Sequence, residues 1–440
     1  TGLLVELGDD TDALGRVLDG VHLEMAPVSV AAQDQVAAAR ALLATWDAAA
    51  VASTDRRGCL GLDPLGVLAR GGAGPDVAPA IEVAVGALAA APHCRPLLAD
   101  GSVFHDAGAT PAQELGWTTV VGVEYVRALV AAGVDPSQAL GAVEFRWSAD
   151  DDQFGTIAKL RAARLLWSRV AVLAGAGGGG AQRQHADSSR AMLTRYDPWV
   201  NALRSTIACF AAGVGGAGSV TVRPHDELDV TGGSPLGRRL ARNTQSILLM
   251  ESGLDKVADL AGGSWYVESL TDELADRAWA RVQAVEADGG IERALRAGTI
   301  QELIDESVAA RRERLATRDR PLTGVTEFPD PDEQRAASPD RRAVDVDTAG
   351  EVGVRPLLPR RLSDDAEARR ARADAHAIAS GRRPTVFLAA LGSEAESTPR
   401  VTFARNLLAV GGVDAVTGGI EEYDPSVSSV VCLCSSDGRY

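Results

Sequence analysis

Tyr196-Asp197-Pro198-Trp199-Val200-Asn201, continuing to Phe210-Ala211-Ala212-Gly213-Val214-Gly215-Gly216-Ala217, sets the pattern for the whole chain. A charged, aromatic opening leads into an apolar helix that empties into a glycine-rich turn. That order is how a helix and its connection are written in a β/α barrel. Outward from it, residues 1–320 alternate short apolar runs with amphipathic stretches. Runs at 3–7, 21–25, 59–62 and 97–103 read as strands. Stretches at 11–18, 31–46, 79–91, 111–132 and 152–173 read as helices, with Thr11 as the first N-cap and Pro64 opening a further helix after Asp63. The helix over 152–173 places Phe154, Ile157, Leu160, Leu165 and Trp167 near one face. Strand and helix in repeated alternation predict a parallel sheet covered by helices, and favour a barrel over an open doubly wound sheet.

From Pro321 the composition changes. Pro321, Pro329, Pro331, Pro339, Pro356 and Pro359 stand among Asp and Arg with few apolar residues, so 321–383 reads as a linker carrying a charged helix at 364–379. A second domain opens at Pro384. Strands at 386–391, 413–416 and 427–434, with a helix at 400–410, read as the start of a flavodoxin-like doubly wound domain over 384–440. Only residues 417–426 separate its last two strands, fewer than a parallel crossover needs. Either residues are missing there or the helix is reduced to a loop. The chain opens without methionine in a strand-like run and stops just after another, and both ends read as cut.

A formal charge of −16 argues against nucleic acid and anionic membrane as partners. No apolar run reaches the roughly 20 residues of a membrane span. Lysine occurs only at Lys159 and Lys256, neither at an obvious strand end, which disfavours lysine-amine catalysis of the aldolase kind. Five scattered cysteines in apolar surroundings predict reduced, buried thiols and a cytoplasmic protein. Cys432 and Cys434 alternate along a strand and so point to opposite faces, a poor arrangement for a metal pair. Gly177 to Gly180 lack the strand and Lys-Ser/Thr of a phosphate loop, and 213–218 reads as a tight turn at the barrel mouth.

Taken with Ala241-Arg242-Asn243-Thr244-Gln245 and Asp259-Leu260-Ala261-Gly262-Gly263-Ser264-Trp265-Tyr266-Val267-Glu268, the opening stretch resembles the adenosylcobalamin-dependent methylmalonyl-CoA mutases. Asp63-Pro64-Leu65-Gly66 and Ile157-Ala158-Lys159-Leu160-Arg161-Ala162 match that family too. The resemblance implies a (β/α)8 TIM-type barrel over 1–320, its N-terminal part missing, followed by the linker and a truncated cobalamin-binding-type domain. It also implies where a site would lie. Catalytic members carry a Tyr-His pair that contacts the acyl-CoA and the corrin, where this chain reads Phe104-His105-Asp106-Ala107-Gly108-Ala109. The phenol is gone. His105, read as closing a strand at the barrel's C-terminal end, is either satisfied by Asp106 or a vestigial candidate beside Phe104. His185 falls in an apparently polar loop over 182–189, and His225 and His376 read as structural or solvated. Polar side chains that line the family's site after its helix are replaced here by the small and apolar run 215–222.

Catalytic relatives also carry an Asp-x-His-x-x-Gly motif after the first strand of the C-terminal domain, its histidine the lower ligand of cobalt. This chain reads Leu391-Gly392-Ser393-Glu394-Ala395-Glu396-Ser397-Thr398-Pro399-Arg400, and no histidine follows His376. Kept scaffold and lost site together resemble the small subunit of a heterodimeric mutase. The resemblance then implies a large catalytic partner that binds adenosylcobalamin and acyl-CoA and interconverts methylmalonyl-CoA and succinyl-CoA. On this reading the chain itself holds no cofactor, no metal and no catalytic residue. The alternative is a catalytically competent acyl-CoA mutase subunit of altered specificity, resting on His105.

Overall fold

The computed structural model describes residues 2–8, 10–72, 77–177, 181–229, 232–333 and 353–439. The chain runs β1 (Leu3–Gly8), α1 (Leu14–Val17), β2 (Val28–Ala32), α2 (Gln35–Ala48), β3 (Arg57–Leu62), α3 (Pro64–Ala69), α4 (Val77–Ala90) and β4 (His93–Asp100). It continues with α5 (Ser102–Ala107), α6 (Pro111–Ala131), α7 (Pro136–Gly141), β5 (Val143–Ala149), α8 (Gln153–Leu173), β6 (Arg183–Ser188), α9 (Pro198–Val214) and β7 (Ser219–Thr221). Helices α10 (Pro235–Met250), α11 (Trp265–Ala287), α12 (Ile291–Ala297) and α13 (Thr299–Ala316) complete this part. The seven strands are parallel and pair in chain order, as successive crossovers of one hand require. The sheet is curled into a partial barrel, open between β1 and β7. Among the described residues no eighth strand joins β7 to β1, so the expected eight-stranded closure is not reached.

Helices begin where a side chain can take up the free amides of the first turn. Asp34 accepts from Ala37 ahead of α2, Asp63 from Gly66 ahead of α3, and Asp152 from Gly155 ahead of α8. Thr110 and Gln113 form a reciprocal capping box in front of Pro111. The first cap is Asp10, not Thr11. Residues 21–25 form no strand, with a turn at 23–25, and the second strand is Val28–Ala32, which takes up the first two positions expected of α2. That helix waits for its cap at Asp34. Beneath the helices Phe145 lies between Trp147 and Trp167, at centroid distances of 5.9 and 4.6 Å. Gly122 is required at this point, since a Cβ there would sit 2.6 Å from the Phe145 ring. Ile157, Leu160 and Trp167 of α8 are buried as expected, whereas Phe154 and Leu165 are about half exposed and share no core face with them.

A second, three-stranded sheet follows α14 (Asp364–Ser380). It is built from β8 (Thr385–Ala390), α15 (Glu394–Val410), β9 (Asp414–Gly418) and β10 (Val431–Cys434), all strands parallel, with β8 between the other two. The short connection before β10 holds a single 3-10 turn at Ile420–Glu422 in place of a helix. Helix α15 starts six residues before the position expected for it. Leu322 and Val325 pack with Ala366, and Val354 and Leu357 join the barrel core. Parts of two expectations, the linker over 334–352 and the glycine run over 178–180, fall outside the described residues.

Candidate functional site

His105 does not close a strand. Strand β4 ends at Asp100, and Phe104 and His105 lie on the short helix α5, both buried. The Phe104 ring packs edge-on against Trp117 at 5.6 Å, so that position is core. Nor is Asp106 the partner of His105. Its Nδ1 faces Glu114 Oε2 at 3.3 Å and its Nε2 faces the Ser189 hydroxyl at 2.7 Å. Glu114 also accepts from Lys159 Nζ at 2.7 Å and from the Ser148 amide at 3.1 Å. Burial alone would raise the Glu114 carboxyl, but Lys159 and His105 more than offset it and hold its pKa below the usual range. Every polar atom of this cluster is engaged with a neighbour from α5, α6, α8, β5 or the loop after β6. The imidazole is fixed at both nitrogens.

The second locus is the inside of the curled sheet. Alternate residues of β5 and β6 point inward: Glu144, Arg146 and Ser148, beside Arg183, His185 and Asp187. Across β4 the register sets Asp100 beside Arg146, and across β7 it sets Ser219 beside His185. Asp100 accepts from Arg70 at 2.7 Å and from Arg146 at 3.3 Å. Burial would raise it, yet Arg146, Arg70 and the Ser102 hydroxyl bring its pKa down to about 2. Asp187 pairs with Arg223, which also reaches Glu227. Burial still lifts Asp187 to about 6. His185 lies in strand β6, not in a loop. Its nitrogens meet Ser219 Oγ at 2.7 Å and Thr221 Oγ1 at 3.0 Å, and burial, aided by Arg146, pushes its pKa down to about 3. A cavity of about 2220 Å³ opens between the β1 and β7 edges, lined in part by Glu6, Arg95, Glu144, Arg183 and His185. These strands escaped a reading based on apolar runs because their inward positions are charged. The available signal was the alternation itself, apolar Val143, Phe145 and Trp147 against Glu144, Arg146 and Ser148.

The other single-residue candidates disperse. The His225 ring stacks on Trp199 at 4.6 Å, and its carbonyl accepts from Asn201. His376 is exposed on α14. The turn at 215–218 leads into the start of β7, at the opposite end of the sheet from His105. Cys434 is buried and Cys432 half-buried on adjacent alternate positions of β10. Among the described residues no group of three His, Cys, Asp or Glu is placed to hold a metal ion, and no helix is long and apolar enough to cross a membrane.

The third locus is the turn after β8. Gly392 adopts φ +89°, and a Cβ there would meet Glu396 at 2.7 Å and Arg439 at 2.8 Å. Ser393 and Glu396 then form a capping box, with the Ser393 amide donating to Glu396 Oε2 at 2.8 Å. Arg439 closes on the same carboxylate at 3.3 Å. The segment that the resemblance aligns with a cobalt-ligand loop is therefore a capped helix start.

Known proteins place this architecture. The family model described as Methylmalonyl-CoA mutase matches residues 6–394. The methylmalonyl-CoA mutase small subunit of Streptomyces virginiae is 47% identical over 455 aligned residues, covering 100% of this chain and 72% of the relative. The small subunit of Propionibacterium freudenreichii subsp. shermanii is 36% identical over 459 residues, covering 100% and 69%. A methylmalonyl-CoA mutase of Rhizobium meliloti is 37% identical over 230 residues, 52% of this chain and 32% of that protein. The chain belongs to the methylmalonyl-CoA mutase family.

Proposed function

We propose that this chain is the small subunit of a heterodimeric adenosylcobalamin-dependent methylmalonyl-CoA mutase. It stabilises a large catalytic subunit and carries out no turnover itself. The family is one of isomerases that use adenosylcobalamin, so the first question is whether these residues fit that cofactor. They do not. The stretch 391–400 offers the cobalt no imidazole, and its backbone is committed to the Ser393–Glu396 cap. Residues 377–440 contain no histidine, and His376 is exposed on α14. This capped turn is the observation that carries the reading.

The barrel interior supports it. An acyl-CoA chain entering the cavity would run against Glu6, Arg95, Glu144 and Arg183 in its wall, ionic groups where a pantetheine arm needs neutral partners, with Arg146 and Asp187 already held in ion pairs beside them. His105, the one residue favouring a competent subunit, is held at both nitrogens by Glu114 and Ser189. On this reading an eighth strand closes the gap between β7 and β1. The three-stranded sheet, with its first strand central, is the start of a flavodoxin-like unit joined to the barrel by a linker, and the complex works in the cytoplasm. Titrating the purified chain with adenosylcobalamin tests the proposal: the corrin spectrum stays that of free cofactor. Stoichiometric binding with displacement of the lower base ligand defeats it.

A further inference from the structure

Residues 354–362 form neither helix nor strand, yet they are tied to the barrel along their length. The Leu357 amide donates to the Ala69 carbonyl at 2.8 Å, the Arg360 amide to the Asp106 carbonyl at 2.7 Å, and the Leu362 amide to the Ala191 carbonyl at 2.8 Å. Ala69 ends α3, which follows β3; Asp106 lies on α5, which follows β4; Ala191 stands just past β6. Because the strands are all parallel, these three segments leave the sheet at the same rim, the C-terminal one. That rim is where the ligands of a β/α barrel sit. The stretch 354–362 spans it from β3 to β6. Two of its acceptors are close neighbours of the buried cluster, Asp106 next to His105 and Ala191 two residues beyond Ser189.

Side chains fix the stretch as well. Val354 and Leu357 are buried in the barrel core. Gln301 of α13, itself buried, donates to the Arg355 carbonyl at 2.8 Å. Pro356 lies against Gly71, where φ is +85° and a Cβ would come within 2.8 Å of the proline. Asp305 of α13 holds Arg355 with one carboxylate oxygen and Arg360 with the other, each at 2.9 Å. An exposed ion pair contributes little alone, but these two share one carboxylate and pin positions on either side of Leu357. A tether needs only length and freedom, whereas this segment has three amides, a carbonyl and two guanidinium groups committed to the barrel. We infer that residues 354–362 are a strap drawn across the C-terminal mouth of the barrel, an intramolecular contact that shuts this face to ligands, with Asp305 as its latch. A ligand reaching for His105 from that side must first lift it. The inference goes beyond the small-subunit reading, since a competent subunit with the same strap would have to open it to load.

Hydrogen exchange of the full chain, read by mass spectrometry, tests the strap. Over 354–362 the three bonded amides should exchange about 100-fold more slowly than in a free peptide of the same sequence. Asp305→Arg turns both ion pairs into repulsions and should speed that exchange by about 10-fold, while peptides from β4, β5 and β6 keep the parent rates. Oxidation by hydrogen peroxide reports the covering of the rim. Met192 follows Ala191, which the strap holds, and is 1% exposed, against 75% for Met25 and 83% for Met250. Its sulfoxide should form last in the parent and about 10-fold faster in Asp305→Arg, with Met25 and Met250 unchanged as internal controls. Arg360→Glu, which sets a carboxylate against the same latch, takes the place of Asp305→Arg if that variant does not fold. Exchange at free-peptide rates over 354–362 in the parent overturns the strap. Parent-like exchange in the folded latch variant overturns the latch. Faster exchange of the strap with Met192 still protected overturns the closure of the mouth. None of these outcomes alters the cobalamin titration, so the two readings fail separately.

Discussion

A lysine held at 2% exposure needs a carboxylate, and Lys159 finds Glu114, itself fully buried, at 2.7 Å. Removing one partner strands the other's charge in the core, which costs about 3–5 kcal/mol. Lys159→Met should therefore lower the unfolding free energy by roughly that amount at neutral pH, read from urea denaturation. The pH dependence has a definite sign. Glu114 has a folded pKa below its ordinary value, so its contribution is present above about pH 4.3 and lost as pH falls through the folded value. The gap between parent and Lys159→Met should narrow toward pH 3, and a constant gap would show that packing, not charge, was lost. The sequence displayed His105 and Lys159 plainly. It did not display their meeting, because Lys159 stands 45 residues from Glu114 and Ser189 stands 84 from His105, each on a different element.

Among the elements, α3 shows what capping can demand of a residue. Asp63 accepts from the Gly66 amide and from the Tyr125 hydroxyl at 2.6 Å, and the same hydroxyl accepts from the Leu65 amide. Burial raises its pKa to about 6, more than Arg70, Tyr125 and the Gly66 amide can offset. A raised carboxyl favours the fold below its unfolded pKa near 3.9 and loses that advantage as pH climbs through 6. Two pKa units correspond to roughly 3 kcal/mol. Asp63→Asn keeps an acceptor for both donors and never ionises. It should match or exceed the parent in stability at pH 8 and lose that advantage at pH 4, with Asp63→Ala less stable than either at pH 8. Parallel pH profiles for Asp63→Asn and the parent would sink this account. Asp63-Pro64 also shows why helices were legible. Acidic or threonine caps and first-turn prolines announce α3, α6 and α8, whereas arginine, glutamate and histidine at the inward positions hide β5 and β6, and β7 is only the three residues Ser219–Thr221.

For the molecule as a whole, the Tyr196-Asp197-Pro198 opening does more than start α9. Tyr196 donates to Asp374 at 2.8 Å, and the Arg370 guanidinium lies 4.2 Å above its ring. Glu367 accepts from the Arg195 amide at 2.7 Å, and the Leu362 amide donates to the Ala191 carbonyl at 2.8 Å. The barrel thus seats α14, and α14 carries α15 and the three-stranded sheet. Among the described residues the sheet has one small apolar cluster of its own. Its order should depend on that seat. Arg370 is buried, stacks on Tyr196 and donates to the Asp330 carbonyl at 2.5 Å, so Arg370→Ala removes a desolvated cation–π contact of about 2 kcal/mol. If the small sheet opens locally, trypsin cleavage after Arg382, between α14 and β8, should become roughly 30-fold faster. The product should be a barrel fragment that still melts near the parent temperature. Cleavage at the parent rate would mean that the sheet is held by contacts other than α14, and loss of the barrel together with the sheet would mean that the two unfold as one.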